Sequence, residues 1–199
     1  YLRGWMADNN GVINTNGLLE NLLLPVNSTI EPRATGEVFL SGNLQASDEG
    51  ARFIRNIEVV DSLGHRHLLN VQFDRTATDN DWTWQVLAPD GTSVGDGTIT
   101  FNTDGSLQNV TTLNNVSWDP ANGADPLAFD LDFDNLTQYA ARESSIAYIQ
   151  DGYEMGYLDT FKIDSAGKVV GVFTNGLTRD IAQIAVATFG NPGGLEKMG

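Results

Sequence analysis

The chain has 199 residues, with 26 Asp and Glu against 11 Lys and Arg, and so carries a net charge of −15 with both His neutral. A surface of this sign repels nucleic acid and anionic membranes, whose binding draws on Lys and Arg that displace counterions, so neither is expected as a partner. With no cysteine, disulfide scaffolds, thiolate metal sites and cysteine nucleophiles are excluded, while an apolar fraction of 41% is enough to build a core.

In chain order, β-branched and aromatic residues alternate with polar ones over Glu37 to Leu44, Phe53 to Val60, His67 to Phe73, Trp82 to Leu87, Thr98 to Phe101, Leu127 to Phe133, Leu158 to Ile163, Lys168 to Phe173 and Ile181 to Phe189. Each reads as a strand. Asn10-Gly11, Asn16-Gly17, Asp90-Gly91, Asp104-Gly105, Asn122-Gly123, Asp151-Gly152 and Asn175-Gly176 mark tight turns that need positive φ. No window holds a helical period over three turns, so at most a short helical turn or two is expected. No apolar run approaches the roughly 20 residues that cross a bilayer. The chain starts at Tyr1 without a basic and apolar leader, which reads as an internal piece of a longer protein. The fold class is all-β, as two small barrel or sandwich domains.

Charge divides the chain. Residues 48–137 hold 15 acidic and 4 basic side chains and no Lys, whereas the two flanks together hold 11 acidic and 7 basic. The middle also has Trp82, Trp84 and Trp118, enough aromatic surface for its own core. The expected organisation is a discontinuous β domain of residues 1–47 and 138–199, with an acidic β domain of residues 48–137 inserted through Ser47-Asp48-Glu49-Gly50 and the segment Thr137 to Ser145.

Candidate chemistry is sparse. Asp130, Asp132 and Asp134 form a D-x-D-x-D run, but the sixth and twelfth loop positions that calcium needs as Gly and Glu are Asn135 and Ala141. The run reads instead as the solvent face of a strand whose Leu127, Phe129, Leu131 and Phe133 face a core, its Asp blunting an edge strand. His65 and His67 beside Asp61 suggest a metal pair or an oriented base. Asp61-Ser62-Leu63-Gly64 is turn chemistry, however, and a third ligand is missing, so a hairpin with solvent-facing histidines is expected. No G-x-S-x-G elbow or phosphate-binding Gly loop occurs, and Gly190 to Gly194 reads as an exit turn. Paired carboxylates are unavoidable among 26 acids and carry no specificity. The Asn-x-Ser/Thr triplets at Asn27, Asn109, Asn115 and Asn135 read as chance in a chain rich in these residues. Catalytic, cofactor and metal residues are all expected to be absent.

Several stretches together resemble the bacterial flagellar hook protein family. Tyr1-Leu2-Arg3-Gly4-Trp5 with Gly11 is similar to its opening segment, and Leu24-Pro25 to the turn that follows. Val59 to His67 resembles its V-x-D-S-x-G-x-x-H hairpin, and Phe101-Asn102-Thr103-Asp104-Gly105 with Leu107 its F-N-x-x-G-x-L segment. Leu136 to Tyr139, Gln150-Asp151-Gly152-Tyr153, Asp164 to Gly167, Val169 to Gly171, Thr174 to Gly176 and Gln183 to Leu195 also match in order.

The resemblance implies a structural subunit of the hook, the curved flexible tube that transmits torque from rod to filament. It implies export without a cleaved signal, an extracellular flagellar location, no enzymatic activity and no cofactor. The implied partners are copies of itself in a helical tube, the rod, the hook cap and the hook–filament junction proteins. Lacking the family's terminal helical segments, the chain alone is expected to be monomeric. Two other readings are a distal rod subunit, which shares the final segment, and a secreted carbohydrate-binding or adhesive β-module that uses Trp82, Trp84 and Trp118 as a stacking platform. A hydrolase is the third.

Overall fold

The computed structural model describes residues 2–47, 51–188 and 190. It contains fifteen strands and, among the described residues, no helix. The chain separates into one compact unit of Tyr1–Ile30 with Gly156–Gly199 and a second of Glu31–Met155.

The first unit opens with β1 (Arg3–Met6), β2 (Glu20–Asn21) and β3 (Thr29–Ile30). The second follows with β4 (Glu37–Asn43), β5 (Arg52–Val60), β6 (Arg66–Arg75), β7 (Asp81–Leu87), β8 (Ser93–Phe101), β9 (Leu107–Asn114), β10 (Val116–Trp118), β11 (Leu127–Thr137) and β12 (Ser145–Gln150). The chain then completes the first unit with β13 (Gly156–Ile163), β14 (Lys168–Phe173) and β15 (Thr178–Ile184).

In the second unit, β5 to β9 form an antiparallel meander, and a sheet of order β10-β11-β4-β12 packs on it. Period-2 alternation sets the meander's inner face. Leu69, Val71 and Phe73 of β6, Trp82, Trp84 and Val86 of β7, and Ile99 and Phe101 of β8 are buried. Registers Phe73↔Trp84 and Trp84↔Gly97 keep these rows aligned, since a one-residue slip would turn every one of them to solvent. Val38, Leu40, Phe129, Phe133, Leu136 and Ile146 of the second sheet close the same core. This is a β-sandwich.

The domain boundaries differ from the sequence expectation. The division falls at 30/31 and 155/156, not at 47/48 and 137/138. The reason is β4. It pairs in parallel with β11 from Asp130↔Glu37 to Thr137↔Asn43 and antiparallel with β12, so segments 31–47 and 138–155 belong to the acidic sandwich. A parallel pair between strands so far apart in sequence leaves no local signal. For the same reason β11 is not an edge strand. β10 and β4 flank it, so its Asp residues do not act as edge protection.

In the first unit the sheet order is β2-β1-β15-β14-β13-β3. Its small core gathers Val169, Ile181 and Ala182, with Met6, Leu22, Leu158 and Ile184 packed against it. The expected strand from Ile181 to Phe189 is instead β15, which starts earlier and ends at Ile184, and Phe189 lies outside the described residues. Tyr1, Asp48 to Gly50 and Asn191 to Leu195 also lie outside them. Strands β1, β2, β3, β9, β10 and β12 have no counterpart among the expected elements. Of the expected turns, Gly11, Gly91, Gly105, Gly123 and Gly176 adopt positive φ, while Gly17 and Gly152 do not. Gly152 is required for another reason: a Cβ there would come within 2.5 Å of Thr35 Oγ1.

Candidate functional site

The polar groups that sequence reading singled out organise the sandwich. Asp61 follows the last residue of β5 and is fully buried. Its Oδ1 accepts the backbone N–H of Leu63 and of His65, both at 2.9 Å, which is the Asx turn that folds the hairpin. Its Oδ2 lies 2.8 Å from His67 Nε2 and accepts Asn122 Nδ2 at 2.7 Å. Burial by itself would raise the Asp61 carboxyl, but the hydrogen bonds from His67, Asn122 and the backbone of His65 and Leu63 outweigh it and hold the group well below the ordinary carboxylate range.

The two histidines therefore differ. His65 is 61% exposed in its side chain, whereas His67 is 16% exposed and packs edge-on against Trp118 at 5.0 Å. The expectation of two solvent-facing rings is corrected for His67, because the buried carboxylate draws it inward. The same node ties the hairpin to the loop before β11 through Asn122 and through Asp125 N–H donating to Ser62 Oγ at 2.9 Å. Among the described residues, no group of three or more His, Asp or Glu is placed to hold a metal ion.

Other motifs have similar roles. Asp151 Oδ1 accepts the N–H of Gly36 and Glu37 at 2.8 and 2.9 Å, and its Oδ2 pairs with Arg33 at 2.8 Å. Burial pushes this carboxyl up, and those backbone donors with the Arg33 charge bring it below its ordinary value. Gln138 is buried, accepts Trp82 Nε1–H at 2.7 Å and donates to Asn80 Oδ1 at 2.9 Å. Thr35 donates to Gln150 Oε1 at 2.8 Å and accepts Val60 N–H at 2.9 Å. Thr35, the bond from Asn122 to Asp61 and the buried role of Gln138 were missed in the sequence, where a lone polar residue carries no periodic signal.

Trp82 and Trp84 are 0% and 2% exposed, and Trp118 packs against the same core. Trp82 and Trp84 are therefore not exposed as the stacking platform of the adhesive reading. In the D-x-D-x-D run, Asp132 Oδ1 accepts Asp134 N–H at 2.8 Å, at the bulge between Asp132 and Asn135 that shifts the inward residue from Phe133 to Leu136.

The two units present different surfaces. Glu31–Met155 contains 20 acidic and 6 basic residues, net −14, whereas the first unit contains 6 acidic and 5 basic, net −1. That near-neutral unit exposes Leu18, Val26, Leu23, Tyr157, Ile163 and Phe161, at 95, 75, 69, 59, 54 and 44%.

The family model for the flagellar basal body protein FlaE D2 domain matches residues 42–153. The flagellar hook protein FlgE of Treponema pallidum is 34% identical over 100% of this chain and 55% of its own length, and that of Borreliella burgdorferi is 30% identical over 100% and 53%. A crystal structure of Helicobacter pylori flagellar hook protein FlgE2 covers 74% of this chain and 35% of its own, at 18% identity and a TM-score of 0.49. The chain thus spans about half the length of these curated relatives. With the family model matched over more than half of its residues, the chain belongs to the flagellar hook protein FlgE family and carries that family's D2 domain.

Proposed function

We propose that the chain is part of a structural subunit of the bacterial flagellar hook, the flexible tube that passes torque from rod to filament. The observation that carries this reading is the family match at residues 42–153 together with FlgE relatives aligned over the whole chain. The surfaces support it. The near-neutral, apolar-rich first unit suits packing against other subunits, and the sandwich of net charge −14 suits a solvated outer position where neighbours touch weakly and can slide. Copies of the chain would contact one another heterologously, the geometry that builds an open helical tube rather than a closed ring.

On this reading the subunit sits outside the cell in the flagellum, meets the rod, the hook cap and the hook–filament junction proteins, and performs no catalysis. The test is genetic and structural together. Cells lacking the coding sequence should lose hooks and swimming, and complementation should restore both. Hooks isolated from the complemented cells should contain the chain as their principal protein by mass spectrometry. Normal hooks in the deleted strain would sink the proposal.

A further inference from the structure

Arg55 stands where the alternation of β5 calls for an apolar side chain. Phe53, Ile57 and Val59 share its face of the strand and pack into the core, so the half-buried guanidinium is drawn into the seam between the two sheets of the sandwich. β5 and β12 are the terminal strands of those sheets, and they meet at this seam. Glu58 N–H donates to Tyr148 Oη at 3.0 Å, and Arg55 Cζ lies 5.1 Å from the centroid of the Tyr148 ring. The ring attracts the cation without neutralising it.

The charge is uncompensated. Arg33, Arg52, Arg66 and Arg75 of the same unit each lie beside a carboxylate, whereas Arg55 has no carboxylate or carbonyl partner among the described residues. Its Nε is dry and unpartnered, while Nη1 and Nη2, equally without partners, keep contact with solvent. Only the tip of the fork is open to an incoming group. The residues next to the pair are apolar: Ile54 precedes Arg55 and is 49% exposed, Ile149 follows Tyr148 and is 73% exposed, and Phe39, cross-strand from Ile149, is 38% exposed. An arginine over a tyrosine ring, bordered by apolar side chains that can exclude water, has the make-up of a protein–protein hot spot.

We propose that this seam is a contact between copies of the subunit, in which Nη1 and Nη2 of Arg55 receive an Asp or Glu carboxylate of a second copy; the proposal rests on the structural-subunit reading above. The planar fork selects a carboxylate, whose two oxygens match its parallel N–H donors. A second copy is the fitting source, because a chain with 26 acidic and 11 basic residues brings carboxylates to almost any contact it makes with itself. It also brings side chains that cover Ile54 and Ile149. A free anion does neither, and the net charge of −14 on the unit repels it. In the isolated chain no bond of Arg55 is lost on substitution, so Arg55→Gln should fold with unchanged thermal stability.

The test is photocrosslinking of the full-length protein in cells, with p-benzoylphenylalanine in place of Ile149, followed by mass spectrometry of the isolated hooks. Irradiation should join two copies of the subunit, and the peptide captured should carry an Asp or Glu. Adding Arg55→Gln should lower the yield several-fold, and Arg55→Lys should keep part of it. Arg55→Glu should abolish the crosslink, and an Arg at the captured acid should restore it, a rescue that a merely structural role for Arg55 would not give. A crosslink to a different protein, a captured peptide without an acid, no crosslink at all, or a yield indifferent to Arg55→Gln would overturn the contact while leaving the subunit reading intact. Hooks that contain no copy of the chain would overturn the subunit reading and this contact with it.

Discussion

Asp61 is a charged group with no solvent exposure, held by four donors that reach it from the hairpin and from the loop before β11. Removing the acceptor strands those donors. Asp61→Ala should destabilise the sandwich by roughly 3 kcal/mol in urea unfolding, since each buried donor left alone costs about 1–3 kcal/mol before water or relaxation recovers part of it. Because the folded-state pKa is depressed, the unfolded chain binds the proton first as pH falls. The stability Asp61 contributes should be complete at pH 5 and above, and should decline below about pH 4, the ordinary carboxylate value. In the Ala variant the acid-side decline should be shallower by that amount, and an unchanged profile would contradict the assignment. The tryptophans give a second residue-scale expectation. The emission of the buried Trp82 and Trp84 should be blue-shifted and protected from acrylamide, and soluble glycans should leave it unaltered. The Asx-turn role of Asp61 was legible in Asp61-Ser62-Leu63-Gly64, because turn chemistry is local. The capture of His67 was not, because its cause is a carboxylate buried by strands distant in sequence.

At the scale of elements, β4 decides how the sandwich closes. It is flanked by β11 and β12 and carries Gly42, at φ +140°, whose Cβ would fall 2.1 Å from the Ser145 carbonyl oxygen. Gly42→Ala should cost at least about 2 kcal/mol by forcing β12 away from β4, with the loss read as faster hydrogen exchange at residues 145–150. A variant with wild-type stability would show that this pairing is not required. Strands with strong alternation, such as β7 and β14, were visible in the sequence with nearly correct limits. The two-residue strands β2 and β3 were not, since they hold too few residues for any period to register. β8 was read only at its end, over Thr98 to Phe101, because Gly95 and Gly97 break its apolar alternation, and those glycines are what let β10 and the Trp84 indole approach.

For the whole molecule, composition separated an acidic middle from near-neutral flanks but placed the seams about 17 residues too far inward on each side. The charge count follows residue type, whereas the seam follows strand pairing, and β4 and β12 carry few acids that would mark them as part of the middle. Two fragments test the division we propose. Residues 31–155, whose ends are joined by the Arg33↔Tyr153 bridge, should fold alone and unfold cooperatively. Residues 48–137 should not, because they lack β4 and β12 and would expose Phe129, Phe133 and Leu136. The folded 31–155 fragment should also gain a few degrees of thermal stability between 10 and 500 mM NaCl, as salt screens the repulsion within a unit of net charge −14. The central claim is the place of this chain in the flagellum, and immunogold electron microscopy of intact flagellated cells with antibodies against the folded chain tests it most directly. Gold confined to the short curved segment between cell surface and filament is the result expected of a hook subunit. Gold spread over the envelope, or retained on cells from which hooks have been removed, would contradict it.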